Sequence, residues 1–127
     1  SIWEAALNAV KYNLGNLVAI VDFNGLEADG SIEDVTGLGD IAAKYRAFGW
    51  NVVEIDGNNI SEIKRCFDQL PPVTSDVPTV IVAHTIKGCG VEYMQNEVRW
   101  HAGKITDEQL KESVESLYEA YDRRWNI

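Results

Sequence analysis

The sequence predicts an α/β fold, a parallel sheet with helices on both faces. Its apolar runs Leu17-Val18-Ala19-Ile20-Val21 and Thr79-Val80-Ile81-Val82-Ala83 are short, partly β-branched and free of polar alternation, as in strands covered on both sides. Between such runs the apolar residues recur at three- and four-residue spacings, so each connection is helical. The order helix, strand, helix, strand, helix, strand, long loop, helix then implies parallel strands joined by right-handed crossovers.

The elements follow in turn. Ile2, Trp3, Ala5, Ala6, Val10 and Leu14 form an amphipathic helix without a cap in front of it, which Gly15 is expected to end. Leu17 to Phe23 reads as a fully buried strand. A second helix carries Ile41, Ala42, Tyr45 and Phe48, with Asp40 at its start and Gly49 at its end. Asn51 to Ile55 is the next strand, and Asp56-Gly57 turns the chain. Asn59 or Ser61 then caps a helix whose expected buried face is Ile60, Ile63, Phe67 and Leu70, and Pro71-Pro72 stops it. After the strand from Thr79 to Ala83, the stretch from His84 to Ile105 has no clean period, and a connection that long in a compact domain is usually functional or disordered. Thr106-Asp107-Glu108-Gln109 opens a last helix in which Leu110, Val114, Leu117 and Tyr121 share a face.

Composition narrows the function classes. A chain of 127 residues, 46% of them hydrophobic, supports one core. With its helix starting at once and only a small sheet behind it, residues 1–127 read as a single partial domain. Lys and Arg total 11 against 20 Asp and Glu, a net charge of -9, which argues against nucleic acid or an anionic membrane as a main partner. The Glu-rich last third reads as a solvated helix face. Cys66 and Cys89 lie in no metal or redox motif and are expected to be free thiols. With no apolar leader or membrane-length apolar run, the expected setting is reducing and cytoplasmic.

The stretch Val21-Asp22-Phe23-Asn24-Gly25-Leu26-Glu27-Ala28-Asp29-Gly30 carries the most information. A strand that opens onto a glycine-containing loop is where open α/β sheets bind ligands. The Asn24 side-chain carbonyl and the Leu26 backbone carbonyl suit a hard cation, although on spacing alone Asn-Gly reads first as a turn. His84 reads as a packed or rim histidine, Lys87 alone as a surface lysine, His101 alone as a loop histidine, and Glu4 as solvated helix surface. The tryptophans read as core or interface.

Taken together, Trp3-Glu4-Ala5-Ala6, Leu14-Gly15-Asn16-Leu17, Val21 through Leu26 with Asp29-Gly30, Phe48-Gly49-Trp50, Ile55-Asp56-Gly57, Thr85-Ile86-Lys87-Gly88-Cys89-Gly90 and Trp100-His101 resemble, in order and over nearly the whole chain, the amino-terminal subunit of split bacterial transketolases. The resemblance implies part of the pyrophosphate domain of a thiamine-diphosphate enzyme. It implies that Asn24 and the Leu26 carbonyl coordinate the magnesium (or calcium or manganese) that bridges the diphosphate. Glu27 and Lys87 would also line the cofactor, His101 would face both diphosphate and reacting substrate, and Glu4 would join an acidic network between subunits. The implied activity moves a two-carbon ketol unit between sugar phosphates, with homo-oligomeric pairing and a second transketolase subunit completing the enzyme.

The sequence departs from that family in several places. The family's Gly-Asp-Gly, whose aspartate is the principal metal ligand, is absent from the 23 residues before Asn24. Glu27 stands where split transketolases usually carry glutamine. Ala102 separates His101 from Gly103, so Lys104 is not assigned to the cofactor. Two alternatives stay open: a non-catalytic paralogous subunit, and a deoxyxylulose-phosphate synthase or dehydrogenase component.

Overall fold

The computed structural model describes residues 1–125, with the side chains of the last helix described through residue 123. Its centre is a three-stranded parallel sheet of β1 (Val18–Phe23), β2 (Asn51–Asp56) and β3 (Thr79–His84) in the order β1-β3-β2. Val18 and Asn51 both pair with Thr79, and Phe23 and Asp56 both pair with His84, so the strands end level at their carboxyl edge. β3 is the middle strand, and its residues from Thr79 to Ala83 are buried. Successive strand side chains point to opposite faces, and the core divides accordingly. Val80 and Val82 pack with Ala6, Ala9, Ile41, Ala42, Tyr45 and Trp50 on one face, while Ile81 and Ala83 pack with Ile55 and Cys66 on the other. Each fully buried Val or Ile side chain contributes roughly 1.5–3 kcal/mol.

α1 (Ile2–Lys11) buries Ala6 and Ala9 but stops before the expected end. Asn13 takes the left-handed conformation, with φ 53°, and the Leu14 N–H returns to the Ala9 carbonyl at 3.0 Å, closing the helix end there. Gly15 serves a different purpose: its Cα lies so close to the Ser75 carbonyl that a Cβ would overlap it. β1 differs from its expected full burial. Ile20 projects towards the face covered by α4 (Ile60–Asp68), but α4 packs over β2, leaving Ile20 59% exposed.

α2 (Ile32–Val35) is a single turn, capped by the Ser31 hydroxyl accepting from the Asp34 N–H at 3.1 Å, and was not expected from periodicity. α3 (Ile41–Ala47) starts where Asp40 predicts, with its carboxylate accepting the Ala43 N–H at 2.7 Å. Asn59, rather than Ser61, caps α4 by accepting from Ser61 and Glu62. The expected buried face of α4 needs correcting. Ile60 is 68% and Phe67 47% exposed, whereas Ile63, Cys66 and Leu70 meet the sheet. Those three positions also follow helical spacing, and the small Cys66 side chain lets the helix approach β2.

The long connection contains two 3₁₀ turns, Glu92–Met94 and Val98–His101. α5 (Asp107–Trp125) opens with the predicted reciprocal box: Gln109 N–H to the Thr106 hydroxyl at 3.2 Å and Thr106 N–H to the Gln109 side chain at 3.0 Å. Its apolar face is open to solvent, with Leu110, Val114, Leu117 and Tyr121 all exposed, while Ser113 is buried beneath Tyr93. No helix among the described residues is long and apolar enough to cross a membrane. Both cysteines are free, Cys66 buried and Cys89 exposed.

Candidate functional site

The level carboxyl edge of the sheet brings two loops side by side. Asn24 leaves β1 directly beside Thr85, which leaves β3, and the Thr85 N–H donates to the Phe23 carbonyl at 3.2 Å. The Asn24 Oδ1 accepts the Leu26 N–H at 3.0 Å, a local turn that organises the loop. Beyond it, Ile32 N–H donates to the Gly25 carbonyl at 3.0 Å and Glu27 N–H to the Gly30 carbonyl at 2.8 Å, folding the loop into a small hairpin. Neither bond uses the Leu26 carbonyl. Gly25, with φ 75°, supplies the left-handed corner. The Glu27 carboxylate is held by the Thr36 hydroxyl, which donates to it across the hairpin.

On the other loop, Ile86 to Cys89 make a tight turn closed by the Cys89 N–H to the Ile86 carbonyl at 3.0 Å. Gly88, at φ 74°, occupies the position where a type II turn needs positive φ, and Lys87 stands at the corner before it. A Cβ on Gly88 would lie 2.5 Å from the Met94 carbonyl, so this turn sits tightly on the first 3₁₀ segment. The Lys87 carbonyl also accepts the Asn96 N–H at 3.0 Å. Lys87 is half-buried.

His101 ends the second 3₁₀ turn and is exposed. Its neighbour Trp100 anchors that turn, with the indole N–H donating to the Tyr93 carbonyl at 2.9 Å and the two rings 5.4 Å apart. Tyr93 in turn bonds Ser113 at 2.7 Å, so His101 is carried by α5 through an aromatic pair and not by the sheet. Trp100 and Trp50 therefore serve packing, as expected for tryptophan, while the Trp125 side chain lies outside the described ones.

Glu4 stands apart from these residues. Its carboxylate is exposed on the first turn of α1, where backbone hydrogen bonding at the helix start lowers its pKa from the ordinary glutamate value. His84 is a rim histidine: it meets the Phe23 ring edge-on at 5.6 Å and its Nε2 lies 3.2 Å from Glu54. Arg46 reaches the other Glu54 oxygen at 2.7 Å, and those two hydrogen bonds, Arg46 foremost, lower the Glu54 pKa. Phe23, Glu54 and His84, with Asp40, Ile41 and Ala42, border a cleft of about 230 Å³ on the α3 side of the sheet.

The donor set fits a hard divalent cation in part. The Asn24 oxygen has a second lone pair beyond the one used by Leu26, and the Leu26 carbonyl supplies another hard, neutral donor. Among the described residues there is no cluster of three or more His, Cys, Asp or Glu side chains able to hold a metal, and these two neutral oxygens alone fall short of the octahedral oxygen set that magnesium takes. An ammonium at the corner of the adjacent turn suits a phosphate group.

Sequence reasoning did not single out Asp22, Asn58 or Thr36. The Thr85 hydroxyl donates to Asp22, the Ile86 N–H donates to the Asn58 side chain at 2.7 Å, and a Cβ on Gly57 would come within 2.5 Å of Thr85 Cγ2. The turn signal Asp56-Gly57 was visible, but its contact with a loop almost thirty positions later was not.

Residues 2–124 match the family model described as transketolase, thiamine diphosphate binding domain. The chain is 39% identical over 123 residues to one subunit of the apulose-4-phosphate transketolase of Phocaeicola vulgatus, covering 97% of this chain and 43% of that protein. It is 36% identical over 116 residues to one subunit of the 6-deoxy-6-sulfo-D-fructose transketolase of a Clostridium species, covering 91% of this chain and 42% of that one. The chain thus spans about two-fifths of the length of these curated relatives. Among solved structures, the transketolase of Campylobacter jejuni superposes with a TM-score of 0.81 at 23% identity, over 91% of this chain and 18% of its own, a likeness of fold. This chain belongs to the transketolase family, through that family's thiamine diphosphate binding domain.

Proposed function

We propose that this chain forms the diphosphate-binding end of a thiamine-diphosphate-dependent transketolase that moves a two-carbon ketol unit between sugar phosphates, working with a second subunit. The observation that carries this reading is the register of β1 against β3, which sets the Asn24 loop beside the Lys87 turn at one edge of the sheet. An oxygen-donor loop next to an ammonium-bearing turn is an arrangement for a cation bound to a diphosphate.

In this reading Asn24 and the Leu26 carbonyl are two of the magnesium ligands, and Lys87 neutralises diphosphate oxygens. His101, exposed on its 3₁₀ turn, donates to or exchanges protons with the bound substrate. Glu27, fixed by Thr36, sets the charge near the reacting ring, and Glu4 belongs to a contact with the partner. The cofactor, when bound, supplies the nucleophilic carbon that carries the ketol unit. Relatives named as single subunits of a transketolase support a separate partner chain.

The test uses the whole polypeptide that carries this domain, assembled with its partner subunit. Calorimetry should show magnesium-dependent binding of thiamine diphosphate, and xylulose phosphate with an aldose phosphate acceptor should give ketol transfer. Binding without transfer on any ketose phosphate would leave the fold and remove the activity. Failure of the assembled protein to bind the cofactor would make the chain a non-catalytic member of its family.

A further inference from the structure

The corner that carries Lys87 is held from two sides by residues that lie far from it in sequence. From the β2 side, Asn58 Oδ1 accepts the Ile86 N–H at 2.7 Å. From the β1 side, the Thr85 hydroxyl donates to Asp22, and the Thr85 N–H donates to the Phe23 carbonyl at 3.2 Å. The acceptor on the β2 side is itself fixed. Asn58 N–H donates to the Asp56 carboxylate at 2.9 Å, Gly57 N–H to the His84 carbonyl at 2.8 Å, and Asn59 N–H to the Asp56 carbonyl at 3.2 Å.

Ile86 is the first residue of the tight turn in which Lys87 and Gly88 are the central pair. In such a turn the direction of the corner side chain follows from the peptide plane before it. The Ile86–Lys87 plane is tied by the Cys89 N–H to Ile86 carbonyl bond, and the Asn58 bond fixes the Thr85–Ile86 peptide just before it, so Ile86 enters the turn held on both sides. Lys87 itself has a long, flexible stem, so the backbone beneath it decides how much of its ammonium's freedom remains to be lost on binding an anion.

We propose that Asn58 is a positioning residue for Lys87, acting with the Thr85–Asp22 pair to hold the Lys87 turn in its anion-ready form before the cofactor arrives. The assignment rests on the reading of Lys87 as a diphosphate contact. It explains why the β2 turn needs a glycine at 57, since that glycine lets the Asn58 segment close onto Thr85 with a Cβ clearance of only 2.5 Å. It also gives the loop between β2 and α4 a role in a site to which it contributes no ligand.

The experiment is a double-mutant cycle in the whole polypeptide assembled with its partner, read by calorimetric affinity for thiamine diphosphate with saturating magnesium. Lys87→Met tests the underlying reading and should weaken binding. Asn58→Ala should weaken it about 3- to 10-fold, the scale of one hydrogen bond, and should speed hydrogen exchange at the Ile86 amide. Asn58→Asp keeps the acceptor and should leave exchange at the Ile86 amide as slow as in the parent; because it also adds a carboxylate charge near the turn, exchange and not affinity is its readout. In the Lys87→Met background, Asn58→Ala should change affinity by less than about 2-fold, because its effect passes through the absent ammonium. Where Asn58→Ala fails to fold, Thr85→Val removes the opposite brace and enters the same cycle with the same expectation.

The outcomes separate cleanly. If Lys87→Met leaves affinity unchanged, both the diphosphate reading and the positioning role fall. If Lys87→Met weakens binding while Asn58→Ala is silent, or the two losses simply multiply, the diphosphate reading stands and the positioning role falls.

Discussion

The indole N–H of Trp50 donates to the carbonyl of Ala6 at 2.9 Å, joining residues 44 positions apart across the α1–α3 face of the sheet. Trp50 also meets Tyr45 edge-on, with ring centroids 5.2 Å apart, and Tyr45 meets Trp3 at 5.6 Å, so the bond sits at the end of an aromatic row that seats α1. Trp50→Phe keeps a ring but removes the donor and leaves space beside Ala6. The expected loss is about 1–3 kcal/mol, measured by urea unfolding of the polypeptide, with a steeper loss for Trp50→Ala. An unchanged midpoint in Trp50→Phe would mean that the ring contacts alone hold α1.

Gly15 and Gly39 predict opposite kinds of sensitivity. At Gly15 an added Cβ would overlap the Ser75 backbone, whereas at Gly39, with φ 56°, it would meet no atom within 4 Å. Gly39→Ala should therefore cost only the left-handed backbone penalty, about 1–2 kcal/mol. Gly15→Ala must displace the segment entering β3 and should cost more, about 2–4 kcal/mol. Thermal unfolding of the two variants side by side checks the order, and equal losses would contradict it.

How much of this was legible in the sequence follows the range of the interactions. Caps and turns are local chemistry, so Asp40, Asn59 and the Thr106/Gln109 box announce α3, α4 and α5 correctly. The three strands are legible because each is a short β-branched run, and their parallel direction follows from the helices between them, whereas the order β1-β3-β2 comes only with the fold. What periodicity cannot give is which apolar residues find a neighbour. Ile20, Ile60, Phe67 and the α5 face obey the right spacing and remain exposed, because exposure depends on where other elements lie. The candidate site divides in the same way. Asn24, Leu26 and Lys87 stand in recognisable motifs, but Asn58 and Thr36 touch those motifs only through the fold, and the bond between Asp22 and Thr85, which links two of the motifs, is likewise set by the fold.

Glu54 carries a pH signature at the sheet's carboxyl edge. Hydrogen bonds from Arg46 and then His84 lower its pKa in the folded chain. A lowered folded pKa means that the ionised carboxylate stabilises the fold above the unfolded pKa, and that this contribution is lost as pH falls through the folded value. The pair is exposed, so the stability change is small, and the titration itself is the better measurement. Carboxyl NMR should give a Glu54 midpoint below the ordinary glutamate value. Arg46→Ala should raise it more than His84→Ala does, and a larger shift from His84→Ala would reverse the assigned order of causes.

Asn24 has two duties that a substitution series can separate. Its Oδ1 accepts the Leu26 N–H at 3.0 Å, a structural bond, and its remaining lone pair is the one proposed to meet magnesium. If only the turn matters, Asn24→Ala costs about 1 kcal/mol of stability and leaves the magnesium concentration for half-maximal cofactor binding unchanged. If the oxygen is also a ligand, Asn24→Ala shifts that concentration upward by about 10-fold or more, the range seen when groups supporting a metal site are removed. Asn24→Asp keeps an oxygen for the turn and offers a charged one to the cation, so it should retain the turn and shift the magnesium requirement far less than alanine does. Magnesium titrations of the three proteins, at fixed thiamine diphosphate and with the partner present, decide between the duties. Parallel magnesium curves for Asn24→Ala and the parent would remove Asn24 from the metal site and leave it a turn residue.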